Sequence, residues 1–290
     1  MQTKVWEDFI SLNSTEHLHN DAIGPISNHL MHDDNSVSWD RQKIPLTLAV
    51  GRDVSPIPTE SDRELYYGQN HFNYWASGIR DWLQILEWTT PRGLKLENTL
   101  DFGCASGRLL RHQYYQTDIK KVIGCDINRL HVDWVARHLP PEIMVFQNSS
   151  IPSLPLPSES VDLVTAFSVF THIDTFDTTW IMELCRILKP GGIAWLTVHS
   201  SRTWREIKPG WPLFYALDSH PDYAEMRKSS DLKSDRVVFR WHTDRSYSAN
   251  VFYREDYLRA SWGRVMKVVD FFPALPHFQD IIVLQKEAAA

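Results

Sequence analysis

Thr99-Leu-Asp-Phe-Gly-Cys-Ala-Ser-Gly-Arg-Leu-Leu-Arg-His112 is the stretch whose reading decides the fold. A short apolar strand ends at Asp101, and the chain turns through Gly103, Cys104, Ala105 and Ser106. A helix is expected over 106–116. Such a turn sets backbone N–H groups and a helix N-terminus beside a carboxylate. That suits a ligand carrying an anionic group together with a cationic or hydroxyl group. A second apolar run, Lys121-Val-Ile-Gly-Cys-Asp126, also closes on an acid. Alone, the Gly-Cys-Ala-Ser-Gly turn is a weak signal, because glycines often serve geometry only. The second acid, about 20 residues on as ribose binding in such folds requires, turns it into a nucleoside-binding cleft at the carboxyl edge of a parallel sheet.

Outward from this stretch, strands are expected at 98–102, 121–126, 143–147, 161–167 and 192–199, with helices at 106–116, 128–138 and 175–188. This alternation describes an α/β, doubly wound, Rossmann-like sheet. Thr171-His-Ile-Asp174 has capping-box spacing for the helix over 175–188, and Lys189-Pro-Gly-Gly192 closes that helix. Upstream, Phe72, Trp75, Ile79, Trp82, Leu83, Ile85 and Leu86 recur at a helical period from about Phe72 to Trp88, and Pro91 and Gly93 stop the helix. Downstream, Ser200 to Tyr253 breaks the alternation, with Val237–Trp241 and Ala249–Phe252 able to pair as a hairpin. A short helix over Arg254–Ser261 follows, then strands over Val265–Phe272 and Asp280–Leu284. Their connection is too short for a helical crossover, so the last strand is expected to be antiparallel in a seven-stranded sheet. The expected organisation is an N-terminal helical and irregular cap over 1–70 and a catalytic domain over 71–290. An insertion after strand five, residues 200–253, forms a lid on that domain.

Composition narrows the classes. The 290 residues are 43% hydrophobic and 23% charged, as expected of a soluble globular chain with a sizeable core. A net charge of −6 without a basic run argues against a nucleic-acid partner. No stretch approaches a membrane span or a signal-peptide core, so a cytoplasmic protein without a membrane partner is expected. The three cysteines, Cys104, Cys125 and Cys185, suggest no disulfide framework. His17, His19, His29 and His32 match no metal-ligand motif, and no metal is expected.

The chain resembles the class I S-adenosylmethionine-dependent methyltransferases from about Tyr66 onward, close to bacterial small-molecule and glycan members. Leu100–Arg108 looks like the family's glycine-rich motif, and Gly124-Cys-Asp126-Ile like its ribose-binding segment. Leu154–Val164 and Arg186–Gly192 look like the segments around strands four and five. The resemblance implies S-adenosyl-L-methionine as cofactor, with Asp101, Gly103, Cys104, Ala105, Gly107 and Arg108 around its methionine part. It places Asp126 and Ile127 at the ribose, Asn148 and Ser149 near adenine, and Phe167 and Ser168 after strand four. Two departures stand out: Ala105 where glycine is usual, and no Asp at 147–150 for the adenine amino group.

Subtraction narrows the chemistry. Thr165-Ala-Phe-Ser-Val-Phe170 lacks the Asn/Asp-Pro-Pro-aromatic signature of nucleic-acid amino methyltransferases and the magnesium-binding acid of catechol-type enzymes. The acceptor class left is a small molecule, sugar or glycan, or natural product. An aromatic wall for it is expected from Tyr66, Tyr67, Trp75 and the 200–253 segment, including Trp211 and Trp241. A hydroxyl acceptor requires a base, and His172 and His199 end core strands; His172 is preferred, with Asp174 near enough to orient it. Other readings remain open at this level. They are transfer to nitrogen or carboxylate by proximity alone, and a catalytically silent nucleoside-binding protein of the same fold. A nicotinamide-dependent dehydrogenase is disfavoured because Gly103 and Gly107 do not make its three-glycine fingerprint.

Overall fold

The computed structural model describes residues 21–30, 45–241, 248–275 and 278–288. His17, His19, His32 and Tyr247 lie outside the described residues. The chain forms two compact units that divide between Asn148 and Ser149.

The first unit opens with an antiparallel pair, β1 (Ala22–Pro25) and β2 (Pro56–Pro58), with helix α1 (Leu46–Arg52) between them. Helix α2 (His71–Thr89) forms where its apolar period predicts, and the Asn70 side chain caps it by accepting from the Asn73 N–H at 2.9 Å. A single 3-10 turn, Thr90–Arg92, then ends on Gly93 at φ 66°. Three parallel strands follow: β3 (Asn98–Phe102), β4 (Lys121–Asp126) and β5 (Met144–Gln147). Helices α3 (Leu110–Tyr115) and α4 (Arg129–His138) connect them. In register, Phe102 faces Cys125 and Asp126 faces Gln147, so the carboxyl ends of the three strands are level.

Packing in this unit rests on α2. Phe72, Trp75, Ala76 and Ile79 join Ile26, Val50 and Ile57 in one buried cluster. Gly78 lets α3 approach: a Cβ there would stand 2.3 Å from the Arg108 carbonyl oxygen and 2.8 Å from the His112 ring. Beneath this contact, Arg111 grips Asp53 through two bonds of 2.6 and 2.9 Å, both side chains fully buried. Burial alone would raise the Asp53 carboxyl, but the guanidinium overrides it and holds the group below its ordinary range. Trp75 donates to the same carboxylate at 2.7 Å. Trp75 is therefore core, and the expected aromatic wall loses that member.

In the second unit, β6 (Val161–Ala166) pairs parallel with β7 (Leu188–Ser200), and helix α5 (Asp177–Ile187) connects them. The last strands, β10 (Lys267–Phe272) and β11 (Asp280–Gln285), pair antiparallel, and β11 also runs antiparallel to β7. Strands mostly parallel, helices between them and an antiparallel last strand give the doubly wound, Rossmann-like α/β class expected from the sequence. The 200–253 segment contributes α6 (Ser201–Glu206), α7 (Pro212–Asp218), α8 (Tyr223–Met226) and the antiparallel pair β8 (Arg236–Arg240) and β9 (Ala249–Tyr253). It has its own core, in which Trp204, Leu217, Phe239 and Phe252 are buried and Trp211 and Trp241 pack on the margin. Helix α9 (Glu255–Ser261) leads back to β10.

Three local expectations are corrected. Helix α3 starts at Leu110 rather than 106, because Ala105 and Gly107 hold φ of 45° and 77° and the turn continues past Ser106. Thr171 and Asp174 do not box α5; its N-cap is Phe176 in the left-handed region, without a side-chain cap. Strand β7 begins at Leu188 and runs through Lys189–Gly192, since the Gly191 N–H and Gly192 carbonyl pair with Lys286 at 3.0 and 2.9 Å.

Candidate functional site

The glycine-rich turn is held from the neighbouring strand end. The N–H groups of Gly103 and Cys104 both donate to the Cys125 carbonyl, at 2.8 and 3.0 Å. Gly103, Ala105 and Gly107 all adopt positive φ. For Ala105 this costs roughly 1–2 kcal/mol, and the Asp126 carboxylate offsets it by accepting the Ala105 N–H at 2.8 Å. The other Asp126 oxygen accepts from the Asn128 N–H, also at 2.8 Å. One carboxylate thus ties the turn to the entry of α4. The Asn148 N–H donates to the Asp126 carbonyl at 3.1 Å, and Gln147 Nε2 to the Ile127 carbonyl at 3.0 Å. Buried Asp101 lies opposite Gly124 in register. Asp101, Gly103, Cys104, Ala105, Gly107, Asp126, Ile127 and Asn148 therefore gather around the carboxyl ends of β3, β4 and β5.

Arg108 follows the turn but aims its guanidinium at α2, 2.6 Å from Asp81 and 3.2 Å from the Ser77 hydroxyl. Cys104 and Cys125 are buried thiols raised well above their ordinary pKa, chiefly by burial. They stay protonated, and all three cysteines are free.

Sequence reading missed a cluster built on His131, which lies in the first turn of α4 and is only 5% exposed. Its Nδ1 is 3.0 Å from the Ser106 hydroxyl and its Nε2 is 2.9 Å from a Glu64 carboxylate oxygen. The Ser106 hydroxyl donates to the Asp62 carbonyl. Burial works against a charge on His131, but the Glu64 hydrogen bond and the carboxylates of Asp126, Glu64 and Asp62 prevail and raise its pKa. Burial likewise raises the Asp126 carboxyl, with His131 and the two N–H donors opposing. The available signal was Ser106 within the turn and a histidine on the inner face of α4. Glu64 comes from a loop with no sequence link to either.

The second unit holds Ser149, Phe167, Ser168, His172 and His199. The turn after β6 is pinned from several sides. Ser168 sits at φ 58°, its N–H donates to Thr197 Oγ1 at 2.7 Å, and its hydroxyl meets the Gln279 amide. The Val251 N–H donates to the Thr171 carbonyl at 2.8 Å, and the Tyr253 hydroxyl to the Phe170 carbonyl at 3.0 Å. Within this frame His172 Nδ1 lies 2.7 Å from the Ala249 carbonyl. A carbonyl only accepts, so Nδ1 carries the proton, and in the neutral ring Nε2 carries the lone pair. Asp174 does not orient this ring: its carboxylate pairs with Arg240 at 2.5–2.7 Å. His199 is enclosed by the rings of Phe252 and Phe278, at 5.1 and 6.0 Å, with the Val251 backbone as a polar neighbour. Burial first, and His172 second, hold its pKa well below the ordinary value.

The donor set of the first unit fits a nucleoside cofactor with a charged tail. Each Asp126 oxygen spends one acceptor position on a backbone N–H and retains another for a vicinal diol. Residues 100–196 match the family model of a methyltransferase domain. An S-adenosylmethionine-dependent methyltransferase from Clostridium acetobutylicum, 12% identical, superposes over 72% of this chain and 92% of its own with a TM-score of 0.52. A putative S-adenosylmethionine-dependent methyltransferase from Listeria monocytogenes, 15% identical, matches over 73% and 99% with a TM-score of 0.49. No curated protein matches the chain. The fold is the Rossmann-like one that the Clostridium protein also has. Residues 100–196 thus carry the sequence pattern of a methyltransferase domain, and S-adenosylmethionine is the cofactor that this resemblance implies. Among the described residues, no helix is long and apolar enough to cross a membrane.

Proposed function

We propose that the protein methylates a hydroxyl of a small molecule, sugar, glycan or natural product, with His172 as general base. The observation that carries this reading is the 2.7 Å bond from His172 Nδ1 to the Ala249 carbonyl, which sets the ring's tautomer. A half-buried imidazole whose ring is oriented by a fixed carbonyl suits proton removal near neutral pH. His199 serves less well, because its ring is walled by phenylalanines and held strongly neutral.

When bound, S-adenosylmethionine supplies an electrophilic methyl group on a sulfonium. In the proposed assignment Asp126 accepts the ribose hydroxyls, with Ile127 beside it. The backbone of Gly103, Cys104, Ala105 and Gly107 lies against the methionine part, and Asp101 orders the turn or faces the ammonium. Arg108 supports the turn from α2 through Asp81. Asn148 and Ser149 serve adenine, and Phe167 and Ser168 line the end of β6. His172 Nε2 receives the acceptor proton, and the shift of charge onto a fixed ring lowers the barrier by general-base catalysis. Residues 200–253 act as the acceptor lid of the 71–290 domain, with Trp211 and Trp241 as its marginal aromatics.

The test is methyl transfer by His172→Ala and His199→Ala against a panel of phenols, sugars and glycans, with cofactor affinity measured in parallel. Loss of turnover in His172→Ala with cofactor binding intact supports the base. Near-normal turnover in both variants would instead identify an acceptor that is already nucleophilic, a nitrogen or a carboxylate.

A further inference from the structure

We propose that His131 is a positioning residue for cofactor binding: as an imidazolium it fastens the loop around Glu64 to the glycine-rich turn and supplies the cation beside Asp126. The inference rests on assigning the cofactor to that turn. Its first support is a proton count. The single Ser106 hydroxyl proton goes to the Asp62 carbonyl, so toward His131 Nδ1 the hydroxyl oxygen accepts. The Glu64 carboxylate accepts from Nε2 at 2.9 Å. Both ring nitrogens donate, and only the protonated ring completes the cluster.

The loop itself supplies the second support. Glu64, Leu65 and Tyr67 hold φ of 54°, 61° and 63°, left-handed conformations that side chains rarely adopt without outside ties. One end of this loop is fixed by Arg63, which bonds the Gly68 carbonyl and, at 2.8 Å, His71 Nδ1. A tie from outside the loop is His131. Across the ring, Ser106 precedes Gly107 and follows Ala105, whose N–H the Asp126 carboxylate holds. Loop, turn and ribose acid therefore share one imidazole.

The titratable groups facing that imidazole are Glu64 and Asp62 from the loop and Asp126 from the end of β4. All three favour its charged form. The tie is complete below the ordinary imidazole value of 6.5 and is lost as pH rises through the raised value in the folded protein. Deprotonation removes one hydrogen bond and the positive charge beside Asp126 together. Cofactor affinity is expected to fall over the same interval.

Two readouts test this. In the cofactor-free protein, an NMR titration of the His131 ring is expected to show a midpoint above that of an exposed histidine, lowered in Glu64→Gln. Calorimetry with S-adenosylhomocysteine from about pH 6 to about pH 9 is expected to show wild-type affinity falling with pH, with His131→Gln weaker by about tenfold at the acid end and flat thereafter. Glu64 is 72% exposed on its side chain, so Glu64→Gln keeps the test available if His131→Gln does not fold. A pH-independent wild type, or variants that bind like it throughout, would overturn the proposal. Asp126→Ala separates the two layers. If it binds like wild type, the cofactor assignment itself fails; if it loses affinity while His131→Gln does not, only the role of His131 fails.

Discussion

His131 and His199 are both buried, 5% and 2% exposed, yet their surroundings shift their pKa in opposite directions. His131 faces a hydroxyl oxygen and three carboxylates, and its pKa is raised. His199 faces two phenyl rings and a second histidine, and its pKa is held well down. Burial opposes charge in both; the acceptors within reach choose the winner. The region around His131 spends its polar groups on holding a turn. Around His199, aromatic walls and burial favour the neutral imidazole, the form a proton acceptor needs.

The largest expected effect separates the two regions by function. His172→Ala should lower turnover by roughly 10²–10⁴ while leaving the cofactor dissociation constant unchanged, as steady-state kinetics and calorimetry would show. A loss of cofactor affinity instead would merge the regions. Next, Asp126→Ala removes a charged acceptor from the turn and should weaken cofactor binding by about a hundredfold, roughly 2–3 kcal/mol. Calorimetry on the variant checks this, and unchanged affinity would strip Asp126 of its ribose role.

A smaller effect comes from the pH dependence of stability. His199 is depressed in the folded state, so below the ordinary value of 6.5 the unfolded chain binds a proton that the native protein does not. Stability is full above that pH and falls with acidification, at up to about 1.4 kcal/mol per pH unit. Denaturant melts of wild type and His199→Leu between about pH 7 and about pH 5 should diverge with that slope. His112, lowered to about 3, contributes equally to both proteins and cancels. Parallel curves would show that His199 is solvated or paired. The smallest effect is at neutral pH, where an apolar side chain replacing a neutral ring walled by phenylalanines should change stability by less than about 1.5 kcal/mol. A larger loss in thermal melts would mean that the ring bonds are essential.

Much of this was readable locally. The apolar period placed a helix from about Phe72 to Trp88, and the structure has His71–Thr89. Short connections predicted the antiparallel end of the chain, and β10 and β11 pair as expected. Misreadings came where a local pattern competed with distant partners. Thr171 and Asp174 have cap spacing, but Val251 takes the Thr171 carbonyl and Arg240 takes the Asp174 carboxylate. Trp75 looked available for a pocket until Asp53, 22 residues upstream, accepted its N–H.

Sequence alone determined the alternation of strands and helices and the glycine turn between two acids. Those properties follow from hydrophobic period, turn chemistry and spacing along the chain, which neighbours in sequence enforce. Tertiary structure decided in which direction each buried histidine's pKa moves, which carbonyl orients His172 and which loop straps the turn. Each depends on a partner brought in from 25 to 77 residues away, as Ser106 and Glu64 are to His131 and Ala249 is to His172. A proton's position is set by the acceptors that folding places around it, and no local pattern in the chain encodes that meeting.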